Sequence, residues 1–178
     1  MTFLPSLPKS AGLKEIQAPH AEMWRHWAQF SQALMRGPGP LSVAERELVA
    51  AYTSGLNRCT YCYQDHMMAT ENFGTKPEVF EGLLEDVDTA AVDDKMKPIL
   101  KFIRKLTLEP TKLTQADADA VFAAGWDEAA LHCSIAICGR FNLINRLVMG
   151  HGVEHTEALT AIWRDDQKLS YVILDEPE

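Results

Sequence analysis

The sequence is poor in positive charge. Its 17 lysines and arginines stand against 25 aspartates and glutamates, a formal net charge of −8 over 178 residues. No basic cluster is denser than the scattered "KFIRK" at 101–105, so the chain lacks a surface that tracks phosphates. Nucleic acid and anionic membranes are therefore not expected partners. It also lacks any run near the roughly 18 uninterrupted apolar residues of a membrane span. The opening "MTFLPSLPKSAG" has two prolines and no long apolar stretch, unlike a secretory signal. A glycine-rich phosphate loop is missing as well, which removes the usual support for a nucleotide cofactor. These absences point to a cytoplasmic protein. Cysteine is scarce, with four in the chain, but in a reducing compartment paired cysteines are more often redox-active, catalytic or metal-bound than structural disulfides.

What is present is helical periodicity. The hydrophobic fraction of 47% and charged fraction of 24% suit one globular domain with its own core. In "PHAEMWRHWAQFSQALMRG", Met23, Trp27, Phe30 and Leu34 recur at three- and four-residue steps, predicting one buried stripe. After the "GPGP" loop, Ser42 and Glu45 stand at capping-box spacing and open a helix that closes at Gly55. The cysteine segment is predicted as a helix from 58 to 72, with Asn57 as its cap. Thr75 and Glu78 repeat the capping-box spacing, predicting a further helix over "KPEVFEGLLED". The stripe Met96, Ile99, Leu100, Ile103 and Leu106, a segment capped by Thr114, and an apolar run from Asp127 to Met149 predict three more. A short helix over "EHTEALTAIWRDD" and a strand-like "LSYVIL" end the chain. The reading is a single all-α domain, its core over about 20–155, with a peripheral N-terminal arm and C-terminal helix and tail.

The chemistry concentrates in "LNRCTYCYQDH" at 56–66. In a helix, Cys59, Cys62 and His66 fall at i, i+3 and i+7, on one face. Cys59 would lie in the first turn, where unpaired amides and the positive helix end favour a thiolate. A dithiol needs this: one sulfur ionised near neutral pH, the other close enough to close a disulfide. Glu47 shares a face of the preceding helix with Val43, Ala50, Ala51 and Ser54. A carboxylate among such small and apolar side chains needs a partner, and His66 lies across the turn. Three readings of the cluster stay open at this level: a redox pair with a proton relay, a zinc site built from both thiolates, His66 and Glu47, or an inert pair. Cys133 and Cys138 read as small core residues. His132, His151 and His155 have no evident partner and read as structural. Tyr63 is a candidate pocket residue.

The full pattern is Glu47, eleven intervening residues, Cys59-x-x-Cys62, three more, then His66. It resembles the active-site motif of the AhpD-like alkylhydroperoxidases of the carboxymuconolactone decarboxylase-like superfamily, in particular the peroxidase-related branch. The later "AAGWDEAALHCSIAICGRFNLINRLVMGHGVE", with Asn145-Arg146, resembles that family's closing core helix. The resemblance implies a compact AhpD-like helical fold, a homo-oligomer that is a trimer or hexamer, and a thiol peroxidase or disulfide reductase. It implies Cys62 as the peroxide-attacking sulfur, Cys59 as the resolving one, and Glu47 and His66 as the relay; the helix-end argument instead favours Cys59 as the more acidic thiol. The implied partners are a peroxide, a dithiol reductant such as a dihydrolipoyl protein, and a peroxiredoxin, with no metal and no organic cofactor. Where the family carries a histidine before the second cysteine this chain has Tyr61, which cannot accept a proton near neutral pH as imidazole does. A lactone decarboxylase and a non-catalytic zinc module are the other functions the residues admit.

Overall fold

The computed structural model describes residues 2–9, 11–155 and 171. Among them every regular element is helical: α1 (Leu13–Gln17), α2 (Ala21–Arg36), α3 (Val43–Leu56), α4 (Thr60–Asn72), α5 (Lys97–Leu108), α6 (Gln115–Ala123) and α7 (Glu128–Gly150), with 3₁₀ turns at Ala18–His20, Pro77–Phe80 and Pro110–Lys112. The antiparallel pair α3–α4 forms the centre, and α5 and α7 pack against α3. Tyr52, Val49, Ile99, Leu100, Ile103, Ile137 and Phe141 lie fully buried where these helices meet. Each such large side chain contributes about 1.5–3 kcal/mol by leaving water. No helix among the described residues is long and apolar enough to cross a membrane.

Local chemistry explains the helix ends. Glu45 accepts from the Ser42 backbone N–H at 2.6 Å, and the Ser42 hydroxyl accepts from the Glu45 N–H at 3.2 Å. At α6 the Asp117 carboxylate accepts from both the N–H and the hydroxyl of Thr114. The "GPGP" loop is tied down by buried Arg46, which donates to the carbonyls of Leu41, Leu34 and Gly37. These carbonyls at the end of α2 and in the loop would otherwise be orphaned.

Three expectations need correction. The segment predicted as a helix over 76–86 forms only the turn Pro77–Phe80 and then successive tight turns. Gly82 sits at φ 69, the left-handed region a helix cannot continue through, and Phe80, Leu83 and Val87 reach the core from turns instead. The segment also presses Leu84 onto α3, where a Cβ on Gly55 would meet Leu84 Cδ2 at 2.6 Å. On α2 the buried line is Trp24, Ser31 and Met35, while Met23 and Phe30 are exposed. The helix carries two apolar stripes, and the regular spacing of Met23, Trp27, Phe30 and Leu34 marks the outer one. Asn57 does not cap α4. Cys59 is the N-cap residue, and the Asn57 amide donates to Asn142 and Asn145 on α7. The helix expected over 154–166 lies outside the described residues beyond His155, and of "LSYVIL" only Tyr171 is described.

Candidate active site

The turn between α3 and α4 sets the sulfurs. Gly55 accepts from the Arg58 N–H at 2.9 Å, and Ser54 accepts from the Cys59 N–H at 3.0 Å. Arg58 is thereby held at φ 57, in a region costly for a side chain with a Cβ. This places Cys59 at the head of α4 and Cys62 on its first turn, both buried and both free thiols.

The two thiols interact, and the interaction shifts them in opposite directions. The Cys62 side chain lowers the Cys59 pKa against the opposing effect of burial, helped by the Cys62 backbone and the Asn145 amide. The Cys59 side chain, with burial and the neighbouring charge of Cys59, pushes the Cys62 thiol well up. Within the pair, ionisation is favoured at Cys59 over Cys62. Asn145, on α7, donates to Ser54 Oγ at 3.0 Å and accepts from Asn57 at 2.9 Å, so its amide is fixed beside both sulfurs.

On one side of the pair, Glu47 is fully buried on α3. Its carboxylate meets His66 Nδ1 at 2.5 Å and the Arg36 guanidinium at 2.5 Å. Burial would raise its pKa, but His66 and Arg36 outweigh it and hold the carboxyl below its ordinary value. Burial lowers the His66 pKa, with Arg140 and Arg36 acting in the same direction against Glu47. His66 Nδ1 therefore donates to an ionised Glu47. The ring lies edge-on to Phe141 at 4.4 Å. Tyr171 closes this side: it stacks over His66, lies beside Arg36 and Arg140, and donates its hydroxyl to Glu47 at 3.4 Å. Glu47 and His66 are thus together as anticipated. Among the described residues no hydrogen bond joins His66 to either sulfur.

On the other side stands a carboxyl that spacing arguments passed over. Asp65 is buried one turn beyond Cys62, and among the described residues its Oδ1 has no hydrogen-bond partner. Burial, reinforced by the charge of Cys59, pushes its pKa up to about 8. Its nearest charge partner is His155, Nδ1 to Oδ1 3.6 Å, which corrects the reading of His155 as partnerless. Here a cavity of about 530 Å³ opens, lined by Arg58, Cys59, Thr60, Tyr61, Gln64, Met149, Val153, Glu154 and His155. Cys59 lines it and Cys62 does not. Tyr61 is buried with its ring edge-on to His155, and burial raises its phenol, so it takes no proton at neutral pH. Another cavity, about 320 Å³ between α3 and the 75–96 segment, has neither thiol nor imidazole in its lining.

Arg36, Asp65, His155 and Tyr171 were missed because each acts through a tertiary contact. Only Asp65 had a local signal: its i, i+3 step from Cys62 puts it one turn beyond that sulfur. Tyr63 packs on Phe80 and not in the cavity. Cys138 accepts or donates within a buried contact to Thr107, consistent with a core residue. Among the described residues no group of three or more His, Cys, Asp or Glu side chains is arranged to hold a metal ion.

The carboxymuconolactone decarboxylase family model matches residues 21–105, a span holding Glu47, both cysteines and His66. Among solved structures, a peroxidase-related protein of Ralstonia eutropha JMP134, described as an alkylhydroperoxidase AhpD core, is similar at a TM-score of 0.76. It shares 24% identity over 84% of this chain and 79% of that one. A peroxidase-related protein of Silicibacter sp. TM1040 is similar at a TM-score of 0.72 and 21% identity, over 94% of this chain and 96% of that one. No protein of curated function matches.

Proposed function

We propose, for a chain that is AhpD-like in its all-helical fold and matches the carboxymuconolactone decarboxylase family across its dithiol, that it is a dithiol oxidoreductase reducing hydroperoxides. The observation that carries this reading is a pair of buried free thiols at the head of α4, Cys59 on a cavity wall with its pKa lowered and Cys62 three residues on with its pKa raised. Lowering a thiol pKa from about 8.5 toward neutrality turns a few per cent of thiolate into a majority. Cys59 is then the attacking sulfur and Cys62 the resolving one, the reverse of the assignment implied by resemblance. The Cys59 thiolate forms an S–O bond as the O–O bond breaks, leaving a sulfenic acid and an alkoxide that takes up a proton. Cys62 next attacks that sulfenic sulfur. The S–S bond forms, the S–O bond breaks, and the Cys62 proton leaves with hydroxide as water. An external dithiol, a dihydrolipoyl group for instance, reduces the disulfide, and the same exchange would serve a peroxiredoxin partner. Neither metal nor organic cofactor enters this scheme.

The buried Glu47–His66 pair acts here as a fixed polar support, with His66 Nε2 available to accept a proton. The family match favours a second reading, in which Glu47 and His66 move a proton on a lactone during decarboxylation. That chemistry leaves the paired sulfurs without a task. The apolar outer face of Met23, Trp27, Phe30, Leu143 and Leu147 supports self-association, as a trimer or hexamer.

Peroxide consumption by the reduced protein, coupled to dihydrolipoamide, tests the reading. Wild type is expected to turn over and Cys59→Ser to be inert. Cys62→Ser is expected to consume one equivalent and yield a dimedone-trapped sulfenic acid at Cys59. Trapping at Cys62 in Cys59→Ser would reverse the two roles. If peroxide is ignored while disulfides are reduced, the oxidoreductase class survives and the peroxidase activity does not. Stoichiometric zinc in protein purified without chelator would favour a binding module instead.

A further inference from the structure

Attack by Cys59 creates a strong base, the departing alkoxide, and something must protonate it. The Glu47 side is badly suited to this. Its carboxylate is held ionised between Arg36 and His66, and the His66 Nδ1 proton is already engaged with Glu47. Asp65 is the opposite case. It follows Cys62 by three residues on α4, so its side chain emerges one turn beyond that sulfur. The carboxyl is buried, and among the described residues its Oδ1 has no hydrogen-bond donor, a setting in which a carboxylate is costly and the neutral acid is preferred. His155 stands 3.6 Å from Oδ1 and lines the same cavity as Cys59, so an imidazole stands between the acid and that cavity.

Resting on the dithiol reading above, we infer that Asp65 is the proton source of this site acting through His155: His155, which lines the cavity with Cys59, passes a proton to the group that leaves when Cys59 attacks, and Asp65 supplies it. The protons balance over a full cycle. Asp65 gives its proton, by way of His155, to the alkoxide and becomes a carboxylate. Disulfide closure then releases water using the Cys62 proton, and the reducing dithiol supplies two protons, one restoring the Cys62 thiol and one restoring Asp65. A disulfide substrate poses the same demand, since its departing thiolate also needs a proton. The pKa of about 8 keeps the acid form present at neutral pH. The titratable groups that act on Asp65 are Cys59 at the head of α4, Cys62 and Tyr61 on α4, and His155 after α7.

The test compares two reactions of Cys59 that differ in their need for a proton. Iodoacetamide releases iodide, which needs none, whereas cumene hydroperoxide releases an alkoxide. In full-length Asp65→Asn, oxidation by the hydroperoxide is expected to slow by roughly 10²-fold or more, the usual scale of general acid catalysis, with alkylation unchanged or faster. Wild type supplies a check independent of the variant's folding. Its oxidation rate is expected to fall as pH rises through about 8, while its alkylation rate holds or climbs. Equal slowing of both reactions in Asp65→Asn, an unchanged oxidation rate, or a wild-type oxidation rate that climbs alongside alkylation across that range overturns the inference alone. A wild-type protein inert to both the hydroperoxide and bis(2-hydroxyethyl) disulfide overturns the dithiol reading with it.

Discussion

Two buried carboxyls flank the same pair of sulfurs, and they are held in opposite states. Glu47 meets a guanidinium and an imidazole and stays ionised. Asp65 is also buried, but among the described residues its Oδ1 has no hydrogen-bond donor, and it keeps its proton to about pH 8. Burial depth alone does not fix the charge of a carboxyl; the partners decide. One side of the dithiol is therefore a sealed, compensated support roofed by Tyr171. The other is an uncompensated acid beside a cavity, where a change of protonation is cheap enough to serve chemistry.

The strongest way to break this contrast is to remove the compensated carboxylate. Glu47→Ala strands the Arg36 guanidinium and His66 in a buried site. Losing one member of such a set costs about 3–5 kcal/mol, expected as a large fall in the urea midpoint. Glu47→Gln, which keeps one acceptor oxygen for Arg36 and offers His66 an N–H that the other imidazole tautomer can accept, is expected to cost less. A cost for Glu47→Ala below about 1 kcal/mol would show that the two sides differ less than their geometry suggests.

A subtler experiment sets the two carboxyls against each other through pH. Asp65 has a folded pKa raised above its unfolded value, so the native state binds more protons between pH about 4 and 8. Its contribution to stability is full below the unfolded pKa and is lost as pH rises through that window. The slope is at most about 1.4 kcal/mol per pH unit. Glu47 has the opposite sign: its folded pKa is lowered, and its contribution is lost as pH falls below the carboxylate range. Unfolding free energies of wild type and Asp65→Asn from pH 5 to 9 are expected to diverge progressively, the variant lacking the alkaline loss. Parallel curves would place Asp65 in contact with enough water to ionise normally.

Much of this architecture was legible along the chain, and the exceptions have a common cause. Helix phasing, the Ser42–Glu45 and Thr114–Asp117 caps and the all-helical class follow from local rules. So does the convergence of Glu47 and His66, because a short turn between two helices leaves few ways to pair them. The 76–86 segment departed from its pattern because Gly82 adopts a left-handed conformation that capping-box spacing cannot foresee. The buried line of α2 was misplaced because two stripes compete on one helix and only tertiary packing chooses between them. Arg36, His155 and Tyr171 reach the site from elements distant in sequence. Asp65 lay within the quoted motif, but an aspartate beside a histidine on a polar-looking helix gives no sign of burial.

The smallest expected effect concerns the turn that sets Cys59 between the two carboxyls. Arg58 carries a Cβ at φ 57, where glycine is at ease and other residues lose about 1 kcal/mol. Its guanidinium also lines the Cys59 cavity, so side chain and backbone need separating. Arg58→Gly and Arg58→Ala both delete the guanidinium, but only the first relieves the backbone. Glycine's greater freedom in the unfolded chain offsets part of that relief, so Arg58→Gly is expected to exceed Arg58→Ala in stability by less than about 1 kcal/mol in urea unfolding. If Cys59 alkylation rates are equal in the two variants, any change from wild type belongs to the lost guanidinium. If they differ, the turn itself tunes the thiolate by setting where Cys59 sits at the head of α4.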